Sequence, residues 1–510
     1  MDRSKCIKVL TYIYLFPFIV LIGFYVFNSL TRTTYFELYQ YIESAKYKWD
    51  NPILILISTS AVLLLLFFII QTKKPSVDNI SKISLMWAGS FCLGAVLLFR
   101  CIAKCDSEFL SLAAKNFLQD DYQALMAGGY LYHYPFQLGF TAVMEFVYKI
   151  FGTENFIVFE LLNIVCIVNA VRILGQITLE LFEDEHVYKL EMMLSMGMFP
   201  FFLLATFIYG DIPGWCMGIN AIYRVIRYLK TENHTELFKA SLWLAVGIVM
   251  KTNLSIVLVA TAIIVILHAI EKKNIKILLP LIGLLIISQM GTLFVNQVFK
   301  MRTGQELPEG IPKIAWVAMG MQESDGDATA PGWYNGYNTS VYSECGYDRE
   351  LTINTCMNDL KQSLKELISN PRHGLWFLYH KFTSQWNDPS FLSMLTNEWY
   401  SRNVEPQSDA ALFFLYGNGR VLLLALMNLY HFLIFLGAGI WGIGYLKKWK
   451  LETSYLVLNI FGGVMFHMIW EAKSRYVLLY FILLLPLAAS GYISLFHRLQ
   501  KLSMKAVSQA

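Results

Sequence analysis

Charged residues are scarce in this chain of 510 residues, at 15% of all positions. Soluble globular proteins carry about 25% charged residues, so this composition argues against that class. The chain also lacks the low hydrophobicity of a disordered protein, because 56% of its residues are hydrophobic. Internal repeats and low-complexity segments are missing. The apolar runs are long rather than short and alternating, which argues against an outer-membrane β-barrel.

Metal-binding cysteine spacing is missing as well. The chain has 8 Cys but no C-x-x-C pair, so the sequence gives no support for a structural zinc site. Cys345 and Cys356 lie in one long segment between apolar runs, and the sequence leaves open whether they form a disulfide or stay as free thiols. The formal net charge of +4 is small and gives no sign of a nucleic-acid partner.

What the chain does contain is a series of long apolar runs separated by short turns that carry Lys or Arg. These runs predict an all-α polytopic membrane protein with about 12 transmembrane helices and both termini in the cytoplasm. The first run is uncharged and too long for the core of a signal peptide, so we interpret it as a span. The predicted spans are 9–27, 52–72, 83–99, 156–179, 192–209, 212–226, 238–250, 252–270, 277–299, 421–446, 453–470 and 476–496.

Two long segments between spans fall on the outer side. The first contains an apolar stretch at 136–150, which we place at the membrane interface as a helix. The second is too long to lack structure in a compact protein, so we expect a small extracytoplasmic subdomain. The predicted regions are N-terminal transmembrane helices at 1–105, an outer loop with interfacial helices at 106–155, a transmembrane core at 156–299, the subdomain at 300–420 and C-terminal transmembrane helices at 421–510.

Ionisable residues collect at the outer ends of these helices. Charged groups beside the hydrocarbon are costly and tend to face cavities or partners. Carboxylates and cations on one face are suited to a general base and an anionic leaving group. The alternative for any one of them is a solvated helix end. These residues include Asp106, Glu108, Asp211, Lys251, Glu471 and Arg475.

Three segments carry a resemblance to a known family. They are CDSEFLSLAAKNFL at 105–118, GGYLYHYPFQLG at 128–139 and WEAKSRY at 470–476. Together they resemble the C-type (GT-C) glycosyltransferases, in the protein-mannosyltransferase-like branch, where an acidic residue after an outward span precedes a helix and a Tyr-Pro turn. The chain departs from that plan by two extra spans before the outer loop and by Ser107 where a second acid is common.

The resemblance implies an inverting transfer of a monosaccharide from a polyprenyl phosphate, with the loop 106–155 as the catalytic loop. It implies Asp106 as the base, with Asp211 and Glu108 as further catalytic carboxylates. Lys251 and Arg475 are the implied phosphate ligands, with Lys381 and Arg302 behind them. No cofactor is implied, although a divalent metal on the three carboxylates is left open. The candidate substrate-binding residues are Tyr132, Tyr134, Gln137, Trp333, Trp386, Asp388 and Glu471. For the aromatic residues among them, packing is the alternative role.

The expected partners are a polyprenyl-phosphate-linked sugar, the lipid bilayer and an acceptor that is an envelope polysaccharide, a lipid or a protein. The expected location is a bacterial plasma membrane, with an extracytoplasmic active site. The alternative function is a transporter or flippase of lipid-linked sugars, which also needs intramembrane charges and a cavity. Such a transporter does not need a carboxylate in a position to assist attack.

Overall fold

The computed structural model describes residues 3–39, 42–323, 330–405, 407–445 and 449–509. Helices account for nearly all of the regular structure in these ranges. Those of the first half are α1 (Arg3–Thr31), α2 (Pro52–Phe68), α3 (Val77–Phe99), α4 (Asp106–Phe117), α5 (Tyr130–His133), α6 (Leu138–Phe151), α7 (Phe156–Phe182), α8 (Glu185–Ser195), α9 (Phe199–Leu203), α10 (Asp211–Thr231), α11 (His234–Met250) and α12 (Ser255–Lys272).

The second half continues in the same way. Its helices are α13 (Leu278–Thr303), α14 (Ile314–Gly320), α15 (Tyr337–Glu344), α16 (Arg349–Ser369), α17 (Pro371–Trp386), α18 (Ser393–Ser401), α19 (Asp409–Leu415), α20 (Asn418–Tyr445), α21 (Leu451–Ile469), α22 (Ser474–Ile482) and α23 (Leu485–Gln509). The all-α polytopic class predicted from the sequence is therefore confirmed. Within the described ranges, Cys345 and Cys356 are both free thiols.

A β-hairpin between α1 and α2 is the element that the sequence analysis missed. It consists of β1 (Arg32–Tyr39) and β2 (Ile42–Trp49), which pair antiparallel with Arg32 opposite Trp49. The hairpin docks on the segment after α17, because the Thr34 amide donates to the Asn387 carbonyl at 2.9 Å. This contact brings β2 beside the loop that precedes α22.

Nine of the 12 expected spans meet strict criteria of length and apolarity. Among the described residues, 7 helices are long and apolar enough to cross a membrane, or up to 9 if each of two bent helix pairs counts as one span. The other three of the expected spans form helices, α10, α11 and α21, that fall short in length or apolarity. α10 packs against α7, α11, α12 and α21. Because these neighbours shield it from lipid, it can carry more polar residues than a lipid-facing helix.

Two predicted spans are bent rather than straight. α8 and α9 meet at 49°, and α22 and α23 meet at 48°. Each second helix has a proline in its first turn, Pro200 in α9 and Pro486 in α23. A proline ring cannot donate a backbone hydrogen bond and disfavours helical geometry in the preceding residue, so each continuous span breaks there.

The short helices of the first long outer segment do not span. α6 has 14 residues, and a helix of that length covers about 21 Å, less than the roughly 30 Å of a hydrocarbon core. In the second long segment, residues around Ile311, Trp316 and Tyr342 form a small core of their own. Phe382, Trp386 and other residues further along join the main core of the bundle. The boundaries of a separate subdomain stay a prediction.

α7 separates two groups of exposed loop residues, which gives a test of the topology. It has 27 residues and is therefore about 40 Å long, enough to cross the bilayer. Cysteines introduced at Glu108 and Glu350 should react with a membrane-impermeant maleimide in intact cells, in a background without the native cysteines. Cysteines at Glu185 and Glu232 should react only after permeabilisation. Labelling of Glu108→Cys and Glu185→Cys from the same side would contradict this arrangement.

Candidate active site

Tyr209, in the turn before α10, has charged groups around it from several parts of the chain. The Asp106 and Asp211 carboxylates and the Arg475 guanidinium all lie within electrostatic range of its hydroxyl. Burial raises the pKa of Tyr209 well above its usual value, and the two carboxylates raise it further. The hydroxyl therefore stays protonated, and it accepts a hydrogen bond from the Gln137 side chain.

Glu471, between α21 and α22, has a similar neighbourhood. Burial raises its pKa to about 7, and the nearby Lys473 ammonium opposes that shift. Asp106 raises the pKa further and Lys251 lowers it. Lys473 in turn pairs with Glu43 of the hairpin at 2.9 Å. We call the set that converges here the ionic cluster, which comprises Asp106, Asp211, Lys251, Glu471 and Arg475.

The shortest ionic contact inside the cluster joins Lys251 to Asp211. The Lys251 ammonium donates to Asp211 Oδ2 at 3.0 Å, and the Asp211 side chain is fully buried. Asp211 Oδ1 has no hydrogen-bond partner among the described residues. Burial lowers the pKa of Lys251, and Asp211 opposes that shift by favouring the charged ammonium. Both residues line a small pocket, together with Trp215 and Tyr476.

Two glycines allow this approach. A Cβ added at Gly210 would overlap the carbonyl oxygen of Met250, and one added at Gly214 would lie 2.8 Å from the Lys251 Cβ. The start of α10 therefore packs directly on the end of α11. The Lys251 ammonium also lies 4.7 Å from the Tyr209 ring centre, a cation–π contact that helps to hold it.

Arg475 lies in the first turn of α22, and 8% of its surface is exposed. Its guanidinium is held over the Phe207 ring at 4.2 Å. Its Nε–H group is buried and has no hydrogen-bond partner among the described residues. A guanidinium held by an aromatic face but short of acceptors is suited to a bidentate anionic ligand such as phosphate.

Asp106 is the exposed member of the cluster. It begins α4, directly after Cys105, whose φ of 52° lies in a region that residues other than glycine seldom adopt. Strained backbone of this kind is often retained where it positions a functional group. Tyr130 and Tyr134 lie within electrostatic range of Asp106, and burial raises the pKa of both phenols well above the usual value.

A row of aromatic rings extends from Tyr134 to the loop of Glu471. The Tyr134 ring lies 6.1 Å from Trp316, which stacks on Trp470 at 5.8 Å with the ring planes 7° apart. Trp470 directly precedes Glu471. Tyr132 contacts other rings of the same small core, including Tyr342.

The structure does not bring three other predicted site residues into the cluster. The Glu108 side chain is 58% exposed and faces Lys104 at 3.9 Å. Arg302 forms a bidentate pair with Glu145 at 2.7 and 2.8 Å. The Lys381 ammonium is buried and donates to backbone carbonyls, including that of Trp470 at 2.9 Å. Lys381 therefore stabilises the backbone of the loop that contains Glu471.

Trp333, Trp386 and Asp388 are buried in the part of the structure that supports that loop. Trp333 donates to Ser384 at 2.8 Å and stacks on Phe36, while Trp386 stacks on Tyr25. These contacts favour the packing alternative for both tryptophans. The Asp388 carboxylate has its own set of donors, which are the amide and hydroxyl of Ser390, the amide of Leu392 and the hydroxyl of Ser474.

Sequence reasoning missed Glu43, Phe207, Tyr209 and Tyr400 as parts of the site. Tyr209 stands two residues before Asp211, so its position was a usable signal. Tyr400 approaches the start of α4 by a 3.3 Å contact with Ser107. No sequence pattern links residues 293 positions apart, so this contact needed the fold. Among the described residues, no group of three His, Cys, Asp or Glu side chains is arranged to share a metal ion.

Residues 137–291 match the family model described as dolichyl-phosphate-mannose-protein mannosyltransferase. The matched segment includes Gln137, Tyr209, Asp211 and Lys251 of the site. The match covers about a third of the chain and supports a glycosyltransferase of the GT-C type. No curated protein matches the chain. The family implies a polyprenyl-phosphate sugar donor and a membrane setting, which fits a multi-pass chain with charged groups at its helix ends.

We expect Asp388 to act through structure. Asp388→Asn should lower stability by about 2 kcal/mol, because an amide cannot accept all four hydrogen bonds and leaves buried donors unsatisfied. Thermal unfolding of the detergent-solubilised protein measures this, with the exposed Asp409→Asn as the control. Unchanged stability combined with weaker donor binding would instead assign Asp388 to the substrate.

A second prediction uses the raised pKa of Glu471. Between pH 4.5 and about 7 the folded state keeps a proton that the unfolded state has lost, so stability falls as pH rises through that range. Glu471→Gln removes this pH-dependent contribution to the free energy of unfolding. The melting temperature of Glu471→Gln relative to the unsubstituted protein should therefore be higher at pH 8 than at pH 5. A difference that is the same at both values would contradict a buried carboxyl with this pKa.

Proposed function

We propose that this chain is an inverting glycosyltransferase that moves a monosaccharide from a polyprenyl phosphate to an acceptor outside the cytoplasm. The observation that carries the proposal is the convergence of the exposed carboxylate of Asp106 with the half-buried Lys251 and the buried Arg475. Inverting transfer needs a base on the acceptor side and positive charge on the phosphate side. The ionic cluster supplies both.

Asp106 is the proposed base. Its exposure at the mouth of the cluster lets an acceptor hydroxyl reach it. The hydroxyl oxygen forms a bond to the anomeric carbon, its proton passes to the Asp106 carboxylate, and the bond from that carbon to the phosphate oxygen breaks. Attack comes from the face opposite the phosphate, so the anomeric configuration inverts.

Arg475 and Lys251 are the proposed ligands of the leaving phosphate. The Arg475 guanidinium offers a rigid pair of donors that matches two phosphate oxygens. Lys251 uses one of its three N–H groups for Asp211, which leaves two for the phosphate. Asp211 then positions Lys251, rather than acting on the sugar. Glu471, with its pKa near 7, is proposed to face the sugar as a neutral or charged hydrogen-bonding group.

A route for the donor's isoprenoid chain is supported by the surface of α21. Met465 and Ile469 are 45% and 49% exposed and lie on the helix that leads to Glu471. A lipid chain lying along them in the bilayer would bring its phosphate to the ionic cluster. The partly buried rings of Tyr134 and Trp470 are the proposed contact for the sugar or the first isoprene units, with the buried Trp316 packed between them.

We place this site on the extracytoplasmic side of a bacterial plasma membrane. Basic residues dominate the opposite helix ends, as in the turn 224–239 and in the tail 498–505, and cationic loops face the cytoplasm. The proposed acceptor is an envelope polysaccharide, a lipid or a protein that presents a hydroxyl there.

The base assignment is tested by Asp106→Asn, which keeps the shape of the side chain but removes its basicity. Transfer of labelled sugar from polyprenyl phosphate should fall about 100-fold or more, the scale of lost general-base catalysis, with donor binding nearly unchanged. Asp121→Asn is the matched control in the same loop, because the Asp121 carboxylate is partly exposed and accepts from the backbone amide of Gln123. Full activity of Asp106→Asn would move the base elsewhere.

The same assay separates the enzyme from a transporter of lipid-linked sugars. Purified protein in detergent has no sealed membrane across which to transport, but an enzyme still releases polyprenyl phosphate there. We expect release that depends on Asp106. Absence of turnover in detergent together with sugar-lipid movement across vesicles would favour the transporter.

If Arg475 and Lys251 bind the leaving phosphate, replacing either of them should slow sugar transfer. Arg475→Ala and Lys251→Ala should each weaken transition-state binding by about 2–4 kcal/mol, as the loss of an oxyanion contact does. Arg475→Lys should recover only part of the rate, because a point charge does not replace a bidentate fork. Arg349→Ala, which removes an exposed cation paired with Glu309, is the control. Normal rates in both alanine variants would place the phosphate elsewhere.

A further inference from the structure

A second cavity lies between α7, α10 and α11, away from the ionic cluster. Its volume is about 450 Å³, and its lining contains three arginines, Arg172, Arg224 and Arg227, but no carboxylate. A water takes about 30 Å³ in the liquid, so the space is far larger than a single water site.

The arginines are only partly neutralised by nearby acids. Arg224 pairs with Glu236 at 3.0 Å, but the same carboxylate also faces Arg227 at 3.9 Å and Lys239 at 3.1 Å. The Nε atoms of Arg224 and Arg227 are buried and have no hydrogen-bond partner among the described residues. Arg227 also lies 3.7 Å from Glu180, a carboxylate that is shared with Lys230 at 3.4 Å. Glu236 and Glu180 are thus each shared between cations, and the two Nε donors remain unused.

Among the three arginines, Arg172 has the charge that nearby groups neutralise least. It lies inside the span α7, and the side-chain hydrogen bond described for it goes to the neutral amide of Asn169 at 2.9 Å. A guanidinium at membrane depth is costly unless it faces a partner or a polar cavity. Here it faces the cavity, so positive charge is concentrated there.

The depth of the cavity sets it apart from the proposed active site. Arg224 follows Asp211 by 13 residues on α10, which is about 20 Å along a helix. Arg172 follows the start of α7 by 16 residues, or about 24 Å. The arginines therefore lie towards the other face of the membrane.

The other end of the cavity is apolar and open to the bilayer. Val165 lines it and is 66% exposed, and it lies two turns before Arg172, or about 10 Å away. Met217 and Trp243 line the same region. The cavity therefore has a cationic end near one membrane face and an apolar end nearer the middle of the bilayer.

We propose that this cavity binds the phosphate headgroup of an anionic lipid, with the phosphate among the three arginines and an acyl or isoprenoid chain along Val165, Met217 and Trp243. The ligand chemistry is a lipid phosphate, which an anionic phospholipid and a polyprenyl phosphate share. The inference does not depend on the proposed function, because none of these residues belongs to the ionic cluster.

Native mass spectrometry of the full chain, released from detergent with added lipid, tests the proposal. Phosphatidylglycerol should be retained about tenfold more tightly than phosphatidylcholine. Arg172→Gln should reduce that retention about tenfold, as expected for loss of one charge-assisted contact. Arg498→Gln, an exposed cation on α23 outside the cavity, should retain the lipid normally. The comparison of lipids uses the unsubstituted chain, so it does not depend on how a variant folds.

Competition distinguishes the sources of the phosphate. Displacement of phosphatidylglycerol by polyprenyl phosphate would support the site and assign it to a lipid of the donor type, while no displacement would support the site and assign it to bilayer phospholipid. Displacement by millimolar inorganic phosphate alone would overturn the proposed contact between the cavity and the lipid's acyl or isoprenoid chain. Equal retention of the two phospholipids, or equal loss in Arg172→Gln and Arg498→Gln, would overturn the proposal. Sugar transfer is not part of the readout, so failure here leaves the proposed function untouched.

Discussion

The buried ion pair between Lys251 and Asp211 is the contact on which the arrangement of the site depends. Taking two charges out of water costs several kcal/mol each, and only close geometry with further polar contacts offsets that cost. Gly210 and Gly214 provide the close geometry, because they let the start of α10 pack on the end of α11. The pair then fixes the positions of Tyr209 and of the turn that leads from Phe207 to α10.

Three further contacts hold the loop between α21 and α22, which carries Glu471 of the ionic cluster and leads to Arg475. Asp388 binds the Ser474 hydroxyl, Lys381 donates to the Trp470 carbonyl, and the Ala472 amide donates to the Gly332 carbonyl at 2.8 Å. All three contacts end on the loop between α21 and α22. They hold the loop that carries Glu471 and the first turn of α22 that carries Arg475, so loop position and cluster chemistry are carried by different residues.

The sequence predicted the parts of the fold that follow from hydropathy and the parts of the site that follow from charge at helix ends. Each expected span corresponds to a helix or a bent pair, because an apolar run has few alternatives in lipid. Asp106, Asp211, Lys251 and the 471–475 loop were chosen for their positions at helix ends, and the structure brings them together.

What the sequence left out depends on contacts distant in the chain. The β-hairpin is rich in aromatic and β-branched residues, as strands often are, yet nothing local connects Glu43 with Lys473. Lys381 and Arg302 could not be told from phosphate ligands, because their partners are backbone carbonyls and a distant carboxylate. Hydropathy alone does not separate α10 from a soluble helix, since its shielding by other helices is a tertiary property.

The measurement that tests the account most directly is a cryo-EM structure of the full chain with polyprenyl phosphate bound. The account predicts phosphate density within about 3 Å of both the Arg475 guanidinium and the Lys251 ammonium, the range of charge-assisted hydrogen bonds, with Asp106 on the open side. Phosphate density elsewhere, with Arg475 and Lys251 still free of it, would contradict the assignment of the ionic cluster as the site of sugar transfer.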